Sequence, residues 1–122
     1  AVPHASLPSW YSAADVFVLG SHREGSGYAA IEACACGAVP VLTDIPSFRM
    51  LTGGGAIGAL WRTGDSAELA SALVRVCRAD LPGHRVRVRE HFEESLSWPA
   101  VGRRARSIYE RVVEGRRRER LA

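Results

Sequence analysis

The sequence predicts an α/β fold in which a parallel β-sheet is flanked by helices. Three short apolar runs lack the polar alternation of a half-exposed strand, which is typical of strands in a buried parallel sheet. Helical patterns lie between and after these runs, and strands that alternate with helices form parallel sheets. The 122 residues, of which 47% are apolar and 24% charged, suit one globular domain with a modest core.

The first half of the chain alternates helix and strand twice. We expect a helix over residues 7–14, followed by a buried strand over residues 15–19. A polar loop then leads to an alanine-rich helix over residues 27–36, with Gly37 as its C′ residue. Residues 38–43 form a second apolar strand. The loop before the alanine-rich helix therefore starts at the carboxyl end of a strand.

The second half of the chain contains one more strand and more helix. A short helix over residues 46–51 ends at a glycine-rich turn, and residues 59–61 form the third strand. Amphipathic periodicity predicts a helix over residues 66–78, and a weaker pattern predicts one over residues 81–94. The inward face of the first of these two helices is expected to consist of Leu69, Leu73, Val76 and Cys77.

A last helix begins after Ser97, which is suited to be its N-cap, with Pro99 in the first turn. Beyond Gly115 the apolar pattern ends, so residues 115–122 are expected to be a frayed, solvated end. The apolar stripe of this helix consists of Val101, Ile108, Tyr109, Val112 and Val113.

Positive charge is concentrated in this last helix. Residues 97–122 carry eight Arg and three Glu, whereas the other 96 residues carry eight Arg and ten acidic residues. We interpret the arginines as a solvated helix face with ordinary Glu–Arg pairs, and we expect no nucleic-acid partner. Peripheral association with anionic lipid headgroups at the inner face of the membrane is one alternative that the charge leaves open. A DNA-binding domain that uses this helix is the other, and it predicts binding that depends steeply on salt concentration.

The three cysteines, Cys34, Cys36 and Cys77, predict neither a disulfide framework nor a metal site. Their number is odd, and no second Cys/His pair lies at ligand spacing. We expect reduced packing residues in a cytoplasmic protein. No apolar run approaches the roughly 18 residues that a membrane-spanning helix needs.

The residues that point to chemistry lie in the loop and helix after the first strand. Ligands of open parallel sheets bind beyond the carboxyl ends of the strands, and a helix N-terminus there attracts phosphate. Gly25 and Gly27 leave the backbone open to close approach. Glu32 lies about one turn into the helix, within reach of a ribose whose diphosphate sits at the helix start. Glu24, in the loop on the other side of the phosphate, could accept hydrogen bonds from the hydroxyls of a transferable sugar.

Glu24 and Glu32 stand in sequence blocks that resemble a known family. The spacing Glu-x7-Glu, the preceding AADVFVLGS and the following EACACGAVPV are similar to retaining glycosyltransferases of the GT-B type, in particular glycosyltransferase family 4, or glycosyl transferases group 1. The later HFEESLSW resembles the family's entry to its last helix. The resemblance covers nearly the whole chain and implies a Rossmann-like sheet, part of a GT-B C-terminal domain.

The resemblance implies a role for each residue of the loop and helix. Glu24 would be the catalytic carboxylate that positions the donor sugar, and Glu32 would bind the ribose. The backbone amides of Gly25, Ser26, Gly27 and Tyr28 would contact the sugar and the diphosphate. Ser26 and Tyr28 depart from the bulky apolar and aliphatic residues usual in the family. The resemblance also implies that the ligand would be a nucleoside diphosphate sugar, bound with neither a metal nor a further cofactor.

The resemblance also implies that residues 1–122 are the donor-binding C-terminal domain of a longer enzyme. In the family, a basic pair that neutralises the diphosphate and an N-terminal acceptor domain lie upstream. We therefore expect a domain truncated on its N-terminal side, with little activity alone, from an enzyme that transfers a hexose to a hydroxyl. An open sheet edge makes a homodimer conceivable. The alternative is a non-catalytic Rossmann-like module that binds a nucleotide or a partner.

Overall fold

The computed structural model describes residues 2–119, which form three strands and six α-helices. A 3-10 turn at His4–Ser6 precedes the first helix, and a π-helical turn at Phe92–Leu96 lies between the last two. The strands are β1 (Val16–Leu19), β2 (Val39–Thr43) and β3 (Ala59–Trp61). The helices are α1 (Leu7–Ala13), α2 (Tyr28–Ala35), α3 (Pro46–Leu51), α4 (Ser66–Arg78), α5 (Leu81–His91) and α6 (Trp98–Glu119).

The sheet has the order β1-β2-β3, and both strand pairs are parallel. The predicted α/β class, with a parallel sheet flanked by helices, is therefore confirmed. β2 is buried along its whole length, but β1 is only partly buried, and Val18 is 43% exposed. The prediction of a buried first strand was wrong in this respect, because β1 pairs on one side only within the described residues.

The core forms where helices pack on β2. Val39, Val41 and Leu42 are fully buried and are covered by Phe48 of α3 and Val88 of α5, among others. α4 contributes Ala72 and Val76 as buried residues, with Leu69 and Leu73 partly buried against them. Cys77 is exposed, so its assignment to the inward face of α4 was wrong. Ala72, which the sequence analysis did not assign to the inward face of α4, is buried there.

Two predicted helix ends are confirmed by their hydrogen bonds. After α2, the amide of Gly37 donates to Cys34 O at 2.9 Å and that of Ala38 donates to Ala33 O at 3.0 Å. This is a Schellman motif, with Gly37 at a φ of 80°. At the start of α6, Ser97 Oγ accepts from the amide of Ala100 at 3.3 Å, as an N-cap should.

The end of the chain is more regular than the sequence predicts. α6 continues to Glu119, so residues 115–119 are helical rather than frayed, and residues 120–122 lie outside the described part. Arg116, Arg117 and Arg118 in the last turn favour the helix, because cations interact well with the negative end of its dipole. No helix within residues 2–119 has the length and apolar character needed to cross a membrane.

The burial of the cysteines predicts their order of reaction. Burial raises the pKa of the Cys34 thiol to about 12, so it stays protonated at pH 8, whereas Cys77 is exposed. In a titration with a thiol-reactive disulfide at about pH 8, Cys77 should react first and Cys34 only after unfolding. Cys77→Ser should remove the fast phase. A fast phase that persists in this variant would contradict the assignment.

Candidate functional site

The loop between β1 and α2 is held at the carboxyl edge of the sheet. Thr43, the last residue of β2, is fully buried, and its Oγ1 donates to the carbonyl oxygen of Ser21 at 2.5 Å. Ser21 lies two residues after the end of β1, and β1 and β2 are neighbours in the sheet. The bond therefore fixes the start of the loop to the adjacent strand.

The end of the loop is fixed by Gly27. This residue is buried, precedes the first residue of α2 and has a φ of 65°, in the left-handed region. A Cβ at this position would lie 3.3 Å from Phe48 Cε1 and 3.4 Å from Leu51 Cδ1. The backbone at Gly27 thus packs directly on α3, and no side chain caps the first turn of α2.

An ion pair ties α3 to the end of β2. Arg49 of α3 donates through Nε and Nη2 to both carboxylate oxygens of Asp44, the residue that follows β2, with the Nη2–Oδ2 distance at 2.8 Å. These bonds lower the pKa of the Asp44 carboxyl below its ordinary value. The pair is exposed, and it links β2 to the helix that carries Phe48.

Glu24 is folded back on its own loop. Its Oε1 accepts from the amide of Gly25 at 3.1 Å, and Ser21 Oγ donates to Oε2 at 3.5 Å. The side chain is partly exposed and lines a cavity of about 420 Å³ together with Pro46 and Met50 of α3. One carboxylate is therefore available to a ligand beside the start of α3.

Glu32 lies in the second turn of α2, beside the helix preceding β1. His4 Nε2 is 3.6 Å from Glu32 Oε1, and the Glu32 side chain is 40% exposed. Burial raises the pKa of the neighbouring Tyr11 phenol, and the charges of Glu32 and Cys36 raise it further. On its other side Glu32 lines a mostly apolar cavity of about 520 Å³ with Tyr28 and Trp98.

The two glutamates line different cavities, and a third cavity shares lining residues with both. The middle cavity, of about 410 Å³, is lined by Gly25 and Ser26 and also by Arg104 of α6. It shares Met50 with the cavity of Glu24 and Ser26 with that of Glu32. Except for Gly27, which is buried, the predicted site residues thus line a depression that consists of these three adjoining cavities rather than a single pocket.

Sequence reasoning missed two residues of this depression. His4 contacts Glu32 across 28 positions of the chain, and Arg104 lines the same cavity as Gly25 although it was interpreted as part of a solvated helix face. No local pattern signals either position, because both depend on how distant segments of the chain pack together. In residues 2–119, no group of three or more His, Cys, Asp or Glu side chains could hold a metal ion.

The fold defines an α/β domain with a three-stranded parallel sheet flanked by helices, and comparisons with known proteins give its family. The family described as glycosyl transferases group 1 matches residues 1–79. A D-inositol 3-phosphate glycosyltransferase of Thermomonospora curvata is 34% identical over 110 residues, which is 88% of this chain and 25% of that protein. The phosphatidyl-myo-inositol mannosyltransferase of Mycobacterium leprae is 34% identical over 91 residues, 74% of this chain and 24% of that protein.

The structural comparison agrees with the sequence comparison. A sucrose-phosphate synthase from Thermosynechococcus elongatus superposes with a TM-score of 0.74 at 28% identity, covering 93% of this chain and 29% of that one. The chain therefore belongs to the glycosyl transferases group 1 family and is a fragment of GT-B glycosyltransferase architecture. It spans about a quarter of the length of the curated relatives it matches.

The role of Gly27 can be tested by comparison with Gly25. Gly27→Ala places a side chain at a positive φ and against Phe48, which should cost about 1–3 kcal/mol of the free energy of unfolding. Gly25→Ala meets nothing within 4 Å and should change it by less than about 0.5 kcal/mol. Urea unfolding measures both. Equal losses in the two variants would contradict the packing of Gly27 on α3.

Proposed function

We propose that this domain binds the nucleoside diphosphate sugar donor of a retaining glycosyltransferase, which transfers a hexose to a hydroxyl of its acceptor. The observation that carries the proposal is the row of three adjoining cavities, which are lined by Glu24, by Gly25 and Ser26, and by Glu32 in turn. A donor of this class is elongated, with a sugar, a diphosphate and a nucleoside in series. The depression offers polar groups in a matching order.

The diphosphate would lie over the first turn of α2. This turn has no side-chain cap, so its amides can donate to an anion, and the helix dipole favours negative charge there. Gly25 has open space around its Cα, which allows an oxygen to approach the backbone. Arg104 lines the same cavity and would add a positive charge next to the phosphates.

The ribose would lie at Glu32. A carboxylate can accept hydrogen bonds from two vicinal hydroxyls, and hydrogen bonds to a charged acceptor are stronger than neutral ones. The Glu32 side chain is 40% exposed, so a ligand can reach its carboxylate without rearrangement of the core. Its Oε1 lies 3.6 Å from His4 Nε2. The base would extend from the ribose beyond α2.

The sugar to be transferred would lie at Glu24. Its carboxylate would accept hydrogen bonds from hydroxyls of the sugar ring and so help to position the anomeric carbon. Its negative charge would also stabilise the positive charge that develops at this carbon in the transition state. Transfer with retention of configuration follows the family resemblance. The basic pair and the acceptor domain of that family are expected upstream of these residues, so binding of the donor, rather than turnover, is the activity we expect of the 122 residues alone.

Nucleotide binding by the chain tests the proposal at Glu32. We expect calorimetric titration with UDP, GDP and ADP to show saturable binding of one of them. Glu32→Gln should weaken it by about tenfold or more, because hydrogen bonds to a charged group contribute about 1.5–3 kcal/mol. The matched control is Glu90→Gln, an exposed residue of α5, which should leave the affinity unchanged.

A deoxy nucleotide separates a direct contact from a general effect of charge. The 2′-deoxy form of the bound nucleotide should bind the unmodified chain more weakly, but it should bind Glu32→Gln as well as the ribonucleotide does. Equal affinity of Glu32→Gln and the unmodified chain for the ribonucleotide would contradict the proposed role of Glu32.

A further inference from the structure

The lining of the middle cavity consists of groups that suit an anion. Three serines line it, Ser26, Ser47 and Ser95, whereas no aspartate or glutamate of residues 2–119 does. Arg104 and His91 are the side chains of this lining that can carry a positive charge. Hydroxyl groups, a guanidinium and an imidazolium all donate hydrogen bonds to phosphate oxygens. The cavity therefore offers donors and positive charge without a carboxylate that would repel a phosphate.

The ring of His91 is held in place by the end of α3. His91 is the last residue of α5, and its Nε2 lies 2.9 Å from the carbonyl oxygen of Leu51, the last residue of α3. The last carbonyls of a helix have no partner within that helix, so the bond also satisfies Leu51. In addition, a Cβ at Gly53 would lie 3.4 Å from His91 Cε1. The ring thus packs on the turn that follows α3.

The bond to Leu51 determines which nitrogen of His91 can respond to a ligand. A carbonyl oxygen only accepts, so Nε2 carries a hydrogen in both the neutral and the charged ring. Nδ1 is therefore the nitrogen that gains the second proton. Within residues 2–119, Nδ1 has no hydrogen-bond partner, and it is not among their buried polar atoms that lack one. It is therefore open to solvent or to a ligand.

The helical period of the chain changes directly after His91. Phe92–Leu96 form a π-helical turn, after which the amide of Ser97 donates to Phe92 O at 2.8 Å. Single π-helical turns occur frequently at functional sites. This turn carries Ser95, which lines the middle cavity together with His91. The end of α5 and the turn after it therefore both contribute polar groups to the same cavity.

The charged groups around His91 leave it available to an anion. Arg104 of α6 lines the same cavity, whereas Arg49 of α3 is engaged in the ion pair at the end of β2. Arg87 lies one turn earlier in α5 and Glu94 lies in the π-helical turn, and neither lines the cavity. Within residues 2–119, no carboxylate forms an ion pair with His91.

We propose that His91 binds the diphosphate of the donor in the middle cavity and adds a second positive charge to that of Arg104. This inference rests on the proposed function, which places the diphosphate over the start of α2. A negative charge beside a histidine favours the protonated ring, so the complex holds this proton more tightly than the free chain does. The affinity for the donor should therefore rise as the pH falls from about 8 to about 6, the range in which histidine changes its charge.

The other histidines of the site predict a different dependence on pH. His4 faces Glu32, and a ribose that displaced it would release a proton from this pair, which would weaken binding at low pH. His22 lines the cavity of Glu24, where the uncharged hexose would lie. Proton uptake together with tighter binding at low pH therefore distinguishes His91 from both.

Calorimetric titration in buffers of different ionisation enthalpy measures the proton uptake. The probes are UDP-glucose, GDP-mannose and ADP-glucose in turn, because a free nucleoside diphosphate has a terminal phosphate that itself titrates near about pH 6. For the conjugate that binds, we expect uptake of about half a proton at about pH 7. Binding should be about fivefold tighter at about pH 6 than at about pH 8.

Two histidine variants of α5 form a matched pair. His91→Gln keeps an N–H donor for Leu51 but cannot gain a charge, so it should lose both the proton uptake and the tighter binding at low pH. His84→Gln changes a histidine of the same helix that does not line the middle cavity, and it should retain both. Uptake that persists in His91→Gln, or that is absent from the unmodified chain, would overturn the inference.

Inorganic pyrophosphate tests the anion site without a variant and without a nucleotide. Its addition at a constant pH of about 7 should move the ring-proton resonances of His91 toward those of the charged ring and saturate. No shift at His91, with pyrophosphate and with the nucleotide sugars alike, would also overturn the inference.

The failures of the two proposals are distinguishable. If Glu32→Gln weakens nucleotide binding while His91→Gln leaves its pH dependence unchanged, the proposed function stands and the role of His91 fails. If pyrophosphate shifts His91 but none of the nucleotide sugars binds, the donor proposal fails and His91 stands as a ligand of phosphate groups.

Discussion

The close packing of the Gly27 backbone on α3 is the constraint on which the candidate site depends. It sets where α2 begins, and it does so at a position that only glycine occupies without strain, because φ is 65° and a Cβ would lie 3.3 Å from Phe48 Cε1. The bond from Thr43 to Ser21 fixes the other end of the same loop. Between these two points, Gly25 and Ser26 are exposed. Glu24 precedes them in the loop, and Glu32 follows in the second turn of α2. The chemistry of the site therefore rests on main-chain geometry that the buried strand β2 and helix α3 hold in place.

The sequence predicts most of the elements, because each one carries a local physical signal. The bounds predicted for α3, β3 and α4 are those of the structure, since a proline, an apolar run and a strong amphipathic period define them. Gly37 and Ser97 end and begin their helices as expected, because capping depends on residues adjacent in sequence. The loop with Glu24 and the helix with Glu32 were also predicted from local pattern, although their roles toward a donor remain a proposal.

What the sequence did not predict depends on contacts between distant residues. The partial exposure of β1 and the exposure of Cys77 follow from which neighbours each residue has, which a periodicity cannot show. The sequence predicted one helix over residues 81–94, but α5 ends at His91 and a π-helical turn follows it, which the residue pattern does not signal. The contact of His4 with Glu32, and the position of Arg104 in the cavity that Gly25 also lines, bring together segments far apart in the chain. The sequence could therefore predict the two glutamates and their spacing, but not the three adjoining cavities that they help to line.

The central claim is that a nucleoside diphosphate lies over the start of α2, and amide chemical shifts measured during a titration test it most directly. The account predicts that the amides of Gly25, Ser26, Gly27 and Tyr28 shift progressively and saturate with a nucleoside diphosphate. The nucleoside alone should move them much less, because the first turn of α2 is proposed to bind the phosphates. Shifts confined to another part of the domain, such as α4 or the turn at residues 53–55, would contradict the account.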